Sequence, residues 1–138
     1  MKKLAFLASM LCFTILGFAQ DANKPVLTFA EKSFDFGTVK EEAGKITHEF
    51  TFTNTGNAPL VIQQVTASCG CTTPSWTKEP VAPGAKGVIT VTYSAAGRPG
   101  AFQKTITVTN NSAENPIALT IKGQVTPRAT TQQVTPTK

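Results

Sequence analysis

Histidine is nearly missing from this chain, which carries one, His48, in 138 residues. That shortage excludes a cluster of histidine metal ligands and leaves Ser–His or Cys–His catalysis a single candidate base. Methionine is confined to Met1 and Met10, so a thioether metal site further along the chain is excluded as well. Charged residues make up only 15% of the chain, and the bases are scattered. The basic patch that nucleic-acid binding requires is therefore absent. Heptads, amphipathic helical stretches and internal repeats are lacking, so no Gly-rich loop opens a helix onto a phosphate. Ser68 has no nucleophile-elbow context. These absences predict a protein that is not an enzyme, holds no cofactor and does not bind nucleic acid.

What is present begins with a targeting pattern. Met1-Lys2-Lys3 is basic, Leu4 to Phe18 is an uncharged apolar run, and Gly17-Phe18-Ala19 offers small residues for cleavage. This predicts a secretory signal peptide over 1–19, cut between Ala19 and Gln20. The apolar run is shorter than the roughly 18 residues a spanning helix needs, so no transmembrane anchor is expected after cleavage. A lipid anchor at Cys12 is disfavoured because Leu11, not a small residue, precedes it. The protein is thus expected to be exported, to the periplasm or beyond the cell. Cleavage leaves 119 residues, one ordinary domain, with eleven basic against eight acidic residues and a net charge of +3. It removes Cys12 and both methionines, leaving Cys69 and Cys71 as the only cysteines.

The mature part reads as all-β. Ile46, His48, Phe50 and Phe52 alternate with Thr47, Glu49, Thr51 and Thr53, and the same period of two returns in Ile89-Val91-Tyr93, Ile106-Val108 and Ile117-Leu119-Ile121. The pattern predicts an edge strand at Val26–Phe29 continued at Phe34–Val39, then Lys45–Asn54, Pro59–Ala67, Thr72–Trp76, Val88–Ser94, Phe102–Asn110 and Pro116–Val125. About seven short antiparallel strands with turn signals between them suit an immunoglobulin-like β-sandwich. The domain is expected over 20–125. Residues 126–138 are polar and punctuated by proline, and are expected to form a disordered tail.

Ser68-Cys69-Gly70-Cys71-Thr72 is the most specific feature. Two lone cysteines in an oxidising compartment should pair, and Gly70 helps the chain bend between them. As a staple the ring is weak: closing three residues contributes only about 1.6 kcal/mol. A ring so tight is expected to be strained and easily reduced, which leaves a reactive pair and an inert disulfide both open. Two thiolates in Cys-x-Cys suit Cu(I), whereas structural zinc would want four ligands and finds too few. In a sandwich of this strand order, the connections Lys40–Gly44, Ser68–Cys71 and Ala95–Gly100 fall at one pole. Arg98, in the turn Gly97-Arg98-Pro99-Gly100, is expected there, either as a plain surface cation or lowering a thiol pKa. His48 is expected inward as a hydrogen-bonded residue, and Trp76 as a cover for the end of the core. Asp35, Glu41 and Glu42 read as turn and surface charges. Asn110-Asn111-Ser112 matches a glycosylation sequon but more simply makes a turn.

Four stretches together carry a resemblance. They are Phe34-Asp35-Phe36-Gly37-Thr38-Val39, His48 to Gly56, Ala67-Ser68-Cys69-Gly70-Cys71-Thr72 and Gly97-Arg98-Pro99-Gly100. Over Phe34–Val125 the chain resembles the bacterial family called domain of unknown function 1573. The resemblance implies an immunoglobulin-like fold in exported proteins, often of Bacteroidetes-like bacteria. In build it is similar to chaperone-like and sperm-protein-like sandwich domains, which bind other proteins through strand edges. It implies no reaction. The expected role is a non-enzymatic binding or structural module whose partner is another exported or envelope protein. The alternative is thiol–disulfide or copper(I) handling by Cys69 and Cys71. Oligomeric state is left open.

Overall fold

Alternation of apolar and hydroxyl side chains builds this molecule. A computed structural model describes residues 23–129; the signal-peptide expectation over 1–19 and the tail beyond Ala129 lie outside them. Eight strands run in chain order: β1 Leu27–Phe29, β2 Ser33–Lys40, β3 Lys45–Asn54, β4 Ile62–Ala67, β5 Thr72–Trp76, β6 Lys86–Ser94, β7 Gly100–Asn110 and β8 Ile117–Thr126. A single 3-10 turn, Glu41–Ala43, links β2 to β3. The strands form two four-stranded sheets, β1-β3-β6-β5 and β2-β8-β7-β4. Among the described residues no helix is long and apolar enough to cross a membrane.

The inward halves of the alternation meet between the sheets. Phe50, Phe52, Ile89 and Val91 come from one sheet, and Ile106, Val108, Leu119, Ile121 and Val125 from the other, all fully buried. Tyr93 stacks on Phe102 across the gap, ring centroids 4.0 Å apart. Each such side chain contributes about 1.5–3 kcal/mol by leaving water. The outward half of the first sheet is a carpet of hydroxyls, with Thr47, Thr92 and Thr73 in register across β3, β6 and β5.

The fold is the β-sandwich that the alternation predicts, with several differences in detail. The first strand and its continuation are separate strands in opposite sheets, which makes eight strands rather than about seven. Ala30, Glu31 and Lys32 are exposed, and the chain crosses there from β1, beside β3, to β2, beside β8. Because β2 keeps running towards the same pole as β8, their ladder is parallel in an otherwise antiparallel molecule. Before β4, Leu60 pairs with Val81 as an isolated bridge instead of extending the strand. At the C-terminal end the ladder runs one residue past Val125, since Thr126 pairs with Lys40.

Candidate functional site

The cysteine loop is the connection from β4 to β5, and both flanking ladders fix it. On the β4 side Ser68 N–H donates to Thr105 O at 3.0 Å, and the Ser68 hydroxyl accepts Thr105 N–H at 3.3 Å. On the β5 side Thr72 N–H donates to Cys69 O at 3.3 Å and Ser94 N–H to Cys71 O at 2.9 Å. Between these anchors Cys69 and Cys71 stand at disulfide distance with Cα atoms 5.3 Å apart, inside the ~4.4–6.8 Å a disulfide allows. Cys71 is buried and Cys69 half-buried against the core, while Gly70 is exposed at the tip. The buried Thr72 hydroxyl lies 3.9 Å from Cys69 Sγ and 3.8 Å from Cys71 Sγ. Cys71 and Gly70 also line a surface recess of about 390 Å³, together with Lys45, Thr73, Thr92 and Ser94.

Two neighbouring connections reach the same pole. Gly44 O accepts Ala95 N–H at 2.7 Å and Ala96 N–H at 3.2 Å, tying the β2–β3 and β6–β7 connections together. Glu41 extends the tie: Oε1 accepts Gly97 N–H at 3.0 Å and Oε2 accepts Arg128 N–H at 2.9 Å. These two bonds, that from Arg128 first, hold the Glu41 carboxyl below its ordinary pKa. Nothing in the sequence singled Glu41 out from Glu42. Its role depends on long-range pairing, and the short spacing between β2 and β3 was the only local hint.

Arg98 stands on this pole, closing its turn with N–H to Ala95 O at 3.1 Å. Its side chain is exposed and makes no ion pair among the described residues. His48 points inward but away from the cysteines: its ring stacks on Phe34 at 3.6 Å and Nε2 is 2.8 Å from Glu31 Oε1. Trp76 sits at the far end of β5, half-buried against the core, with Lys78 Nζ 3.0 Å from its ring centroid. Asp35 accepts Gly37 N–H at 2.8 Å, a turn role. Asn110 is buried, donating to Glu114 O at 3.1 Å and accepting Ser112 N–H at 2.7 Å, so its amide belongs to a turn. Among the described residues no three His, Cys, Asp or Glu side chains gather as metal ligands. A copper site would rest on the two sulfurs alone.

Residues 27–125 match a family described as a protein of unknown function (DUF1573). No curated protein matches the chain. Among solved structures it is similar to a protein of unknown function from Porphyromonas gingivalis W83, with 16% identity and a TM-score of 0.66, covering 77% of this chain and 50% of that one. The chain thus spans half the length of that protein. It is also similar to an ASH / PapD-like domain of human CEP192, with 9% identity and a TM-score of 0.62, covering 93% and 98% of the two chains. A third likeness is to the CupB2 chaperone of Pseudomonas aeruginosa, with 11% identity and a TM-score of 0.51, covering 70% and 54%. At these identities the likeness concerns the fold.

Proposed function

This chain belongs to the DUF1573 family, and on that premise we infer that it is an exported, non-enzymatic module that binds another exported or envelope protein at its cysteine pole. The observation that carries this reading is the way three separate connections are tied together there. Gly44 O, Glu41 and the Ser94–Cys71 bond hold the pole in one shape before any partner arrives. A surface ordered in advance loses less conformational entropy on binding, which is what a recognition surface needs. The resemblance in fold to a chaperone and to a PapD-like domain is consistent with a protein-binding role. Affinity capture from envelope extract tests it, using wild-type protein beside a variant with Arg98→Glu and Gly70→Lys. A partner retained by the wild type and lost by the variant is expected. A partner set identical for both would overturn the reading.

A second reading follows from the position of Cys71 beside the surface recess and Lys45. A partner dithiol would attack the disulfide through one thiolate, forming a mixed disulfide and releasing one cysteine as thiolate. The second partner thiol would then displace the other cysteine, leaving the partner oxidised and the pair reduced. The nearby ammonium would favour the released thiolate, and the reduced pair is the form that would take Cu(I). Thiol trapping across a glutathione series decides: a potential well above about −300 mV supports exchange, and a lower one makes the pair structural.

A further inference from the structure

We propose that the protein pairs with a second copy of itself along the open edge of β3, joining two of these sheets into one. On one side β3 is paired with β6 from Lys45 to Thr53. On the other, β1 covers only Phe52–Asn54, and its last bond is Ala30 N–H to Thr51 O at 3.1 Å. Thr51 therefore directs its carbonyl to the β1 side. Alternation along an antiparallel strand turns the N–H and C=O of Glu49, Thr47 and Lys45 the same way. At those three residues the chain after β1 has already crossed to the other sheet, and among the described residues their edge groups meet no strand.

This edge differs from the other edges of the sandwich. The edge at β5 contains Pro74, which has no N–H to offer. The edge at β2 is broken by a register shift between Asp35 and Thr38, where Gly37 takes φ 65°. The edge at β4 shifts register between Ile62 and Gln64. Residues 45–49 of β3 are regular, free of proline and glycine, and unshifted against β6. Natural proteins guard such edges with bulges or charges.

The charges here do not repel a second copy but fit it. When two β3 strands run antiparallel about Thr47, Lys45 of one copy falls opposite Glu49 of the other, and the two-fold axis makes the contact twice. Thr47 meets Thr47. In this register all three residues are hydrogen-bonded pairs, so the free N–H and C=O groups coincide in phase and about six backbone bonds form. Lys45, Thr47 and Glu49 are all exposed, and neither Lys45 nor Glu49 has an ion-pair partner among the described residues. Opposite-charge pairs stabilise a cross-strand contact where like charges would oppose it. An interface of this size is small, so the dimer is weak, with a Kd on the order of 100 µM.

The experiment is sedimentation equilibrium on protein purified in the N-terminal form the cell produces, across a concentration series up to ~1 mM. A monomer–dimer equilibrium is expected. Lys45→Glu sets a carboxylate of each copy against the Glu49 carboxylate of the other and weakens association at least about tenfold. Adding Glu49→Lys to Lys45→Glu restores it. Thr47→Pro removes an N–H that faces only the open edge, so it abolishes the dimer while the β3–β6 ladder stays intact. Should Thr47→Pro misfold, the charge pair still decides. A monomer at every concentration would overturn the proposal and leave the edge to a strand of another protein; a dimer indifferent to Lys45→Glu would overturn it too. Lys45 also borders the recess beside Cys71, whereas Thr47 does not, so Thr47→Pro separates dimer formation from partner capture at the cysteine pole.

Discussion

Asn54 shows how much a single side chain can hold at the pole opposite the cysteines. It is fully buried; Nδ2 donates to Ala58 O at 2.7 Å and Val81 O at 2.9 Å, while Oδ1 accepts Gly56 N–H at 3.1 Å and Val26 N–H at 3.3 Å. Asn54→Ala leaves those buried groups without partners and is expected to cost about 2–4 kcal/mol in urea unfolding. Gly87 is a second such position, because the Phe52 ring lies where a Cβ would go. Gly87→Ala must displace that ring and is expected to lower stability by about 1–3 kcal/mol. Glu41 acts through charge. Its folded pKa is lowered by the Arg128 and Gly97 N–H bonds, so its contribution is present above the ordinary glutamate pKa and lost as pH falls through the lowered value. Amide exchange at Gly97 is expected to lose protection in that acid window in wild type, and at all pH values in Glu41→Ala, which removes the acceptor.

At the scale of elements the cysteine ring and the ladders around it separate cleanly. The ring spans three residues, whereas Ser68, Thr72 and Ser94 tie the same loop to both sheets. Cys69→Ser with Cys71→Ser is accordingly expected to cost only about 1.6 kcal/mol in thermal or urea unfolding, with the sandwich retained. A loss several times larger would mean that the loop depends on the sulfurs rather than on the ladders. The strands themselves were largely legible, because a buried face forces a period of two and Phe50, Phe52, Ile89 and Val91 obey it. The split between β1 and β2 was not. Val26–Phe29 and Phe34–Val39 have the same pattern, and only long-range pairing with β3 or β8 decides which sheet each joins. Hydrogen bonds made by buried asparagines were likewise invisible, since Asn54 and Asn110 look like ordinary turn residues in one dimension.

For the molecule as a whole, strand order brings connections 41–44, 68–71 and 95–99 to one end, as the alternation and turn signals predict. Which side chains work there was only partly readable. The cysteines announce themselves by spacing, Arg98 by its turn, and Glu41 only by the short spacing between β2 and β3. His48, inward as expected, serves a stack with Phe34 and a bond to Glu31 on the flank rather than the pole. The cysteine pole is the proposed docking surface, and site-specific photocrosslinking in living cells tests that most directly. A photoreactive residue is placed at Ala96 on this pole and, separately, at Asn57 on the opposite one, both exposed. A discrete crosslinked envelope protein is expected from position 96 and absent from position 57. Crosslinks from 57 alone, or none from 96, would contradict it.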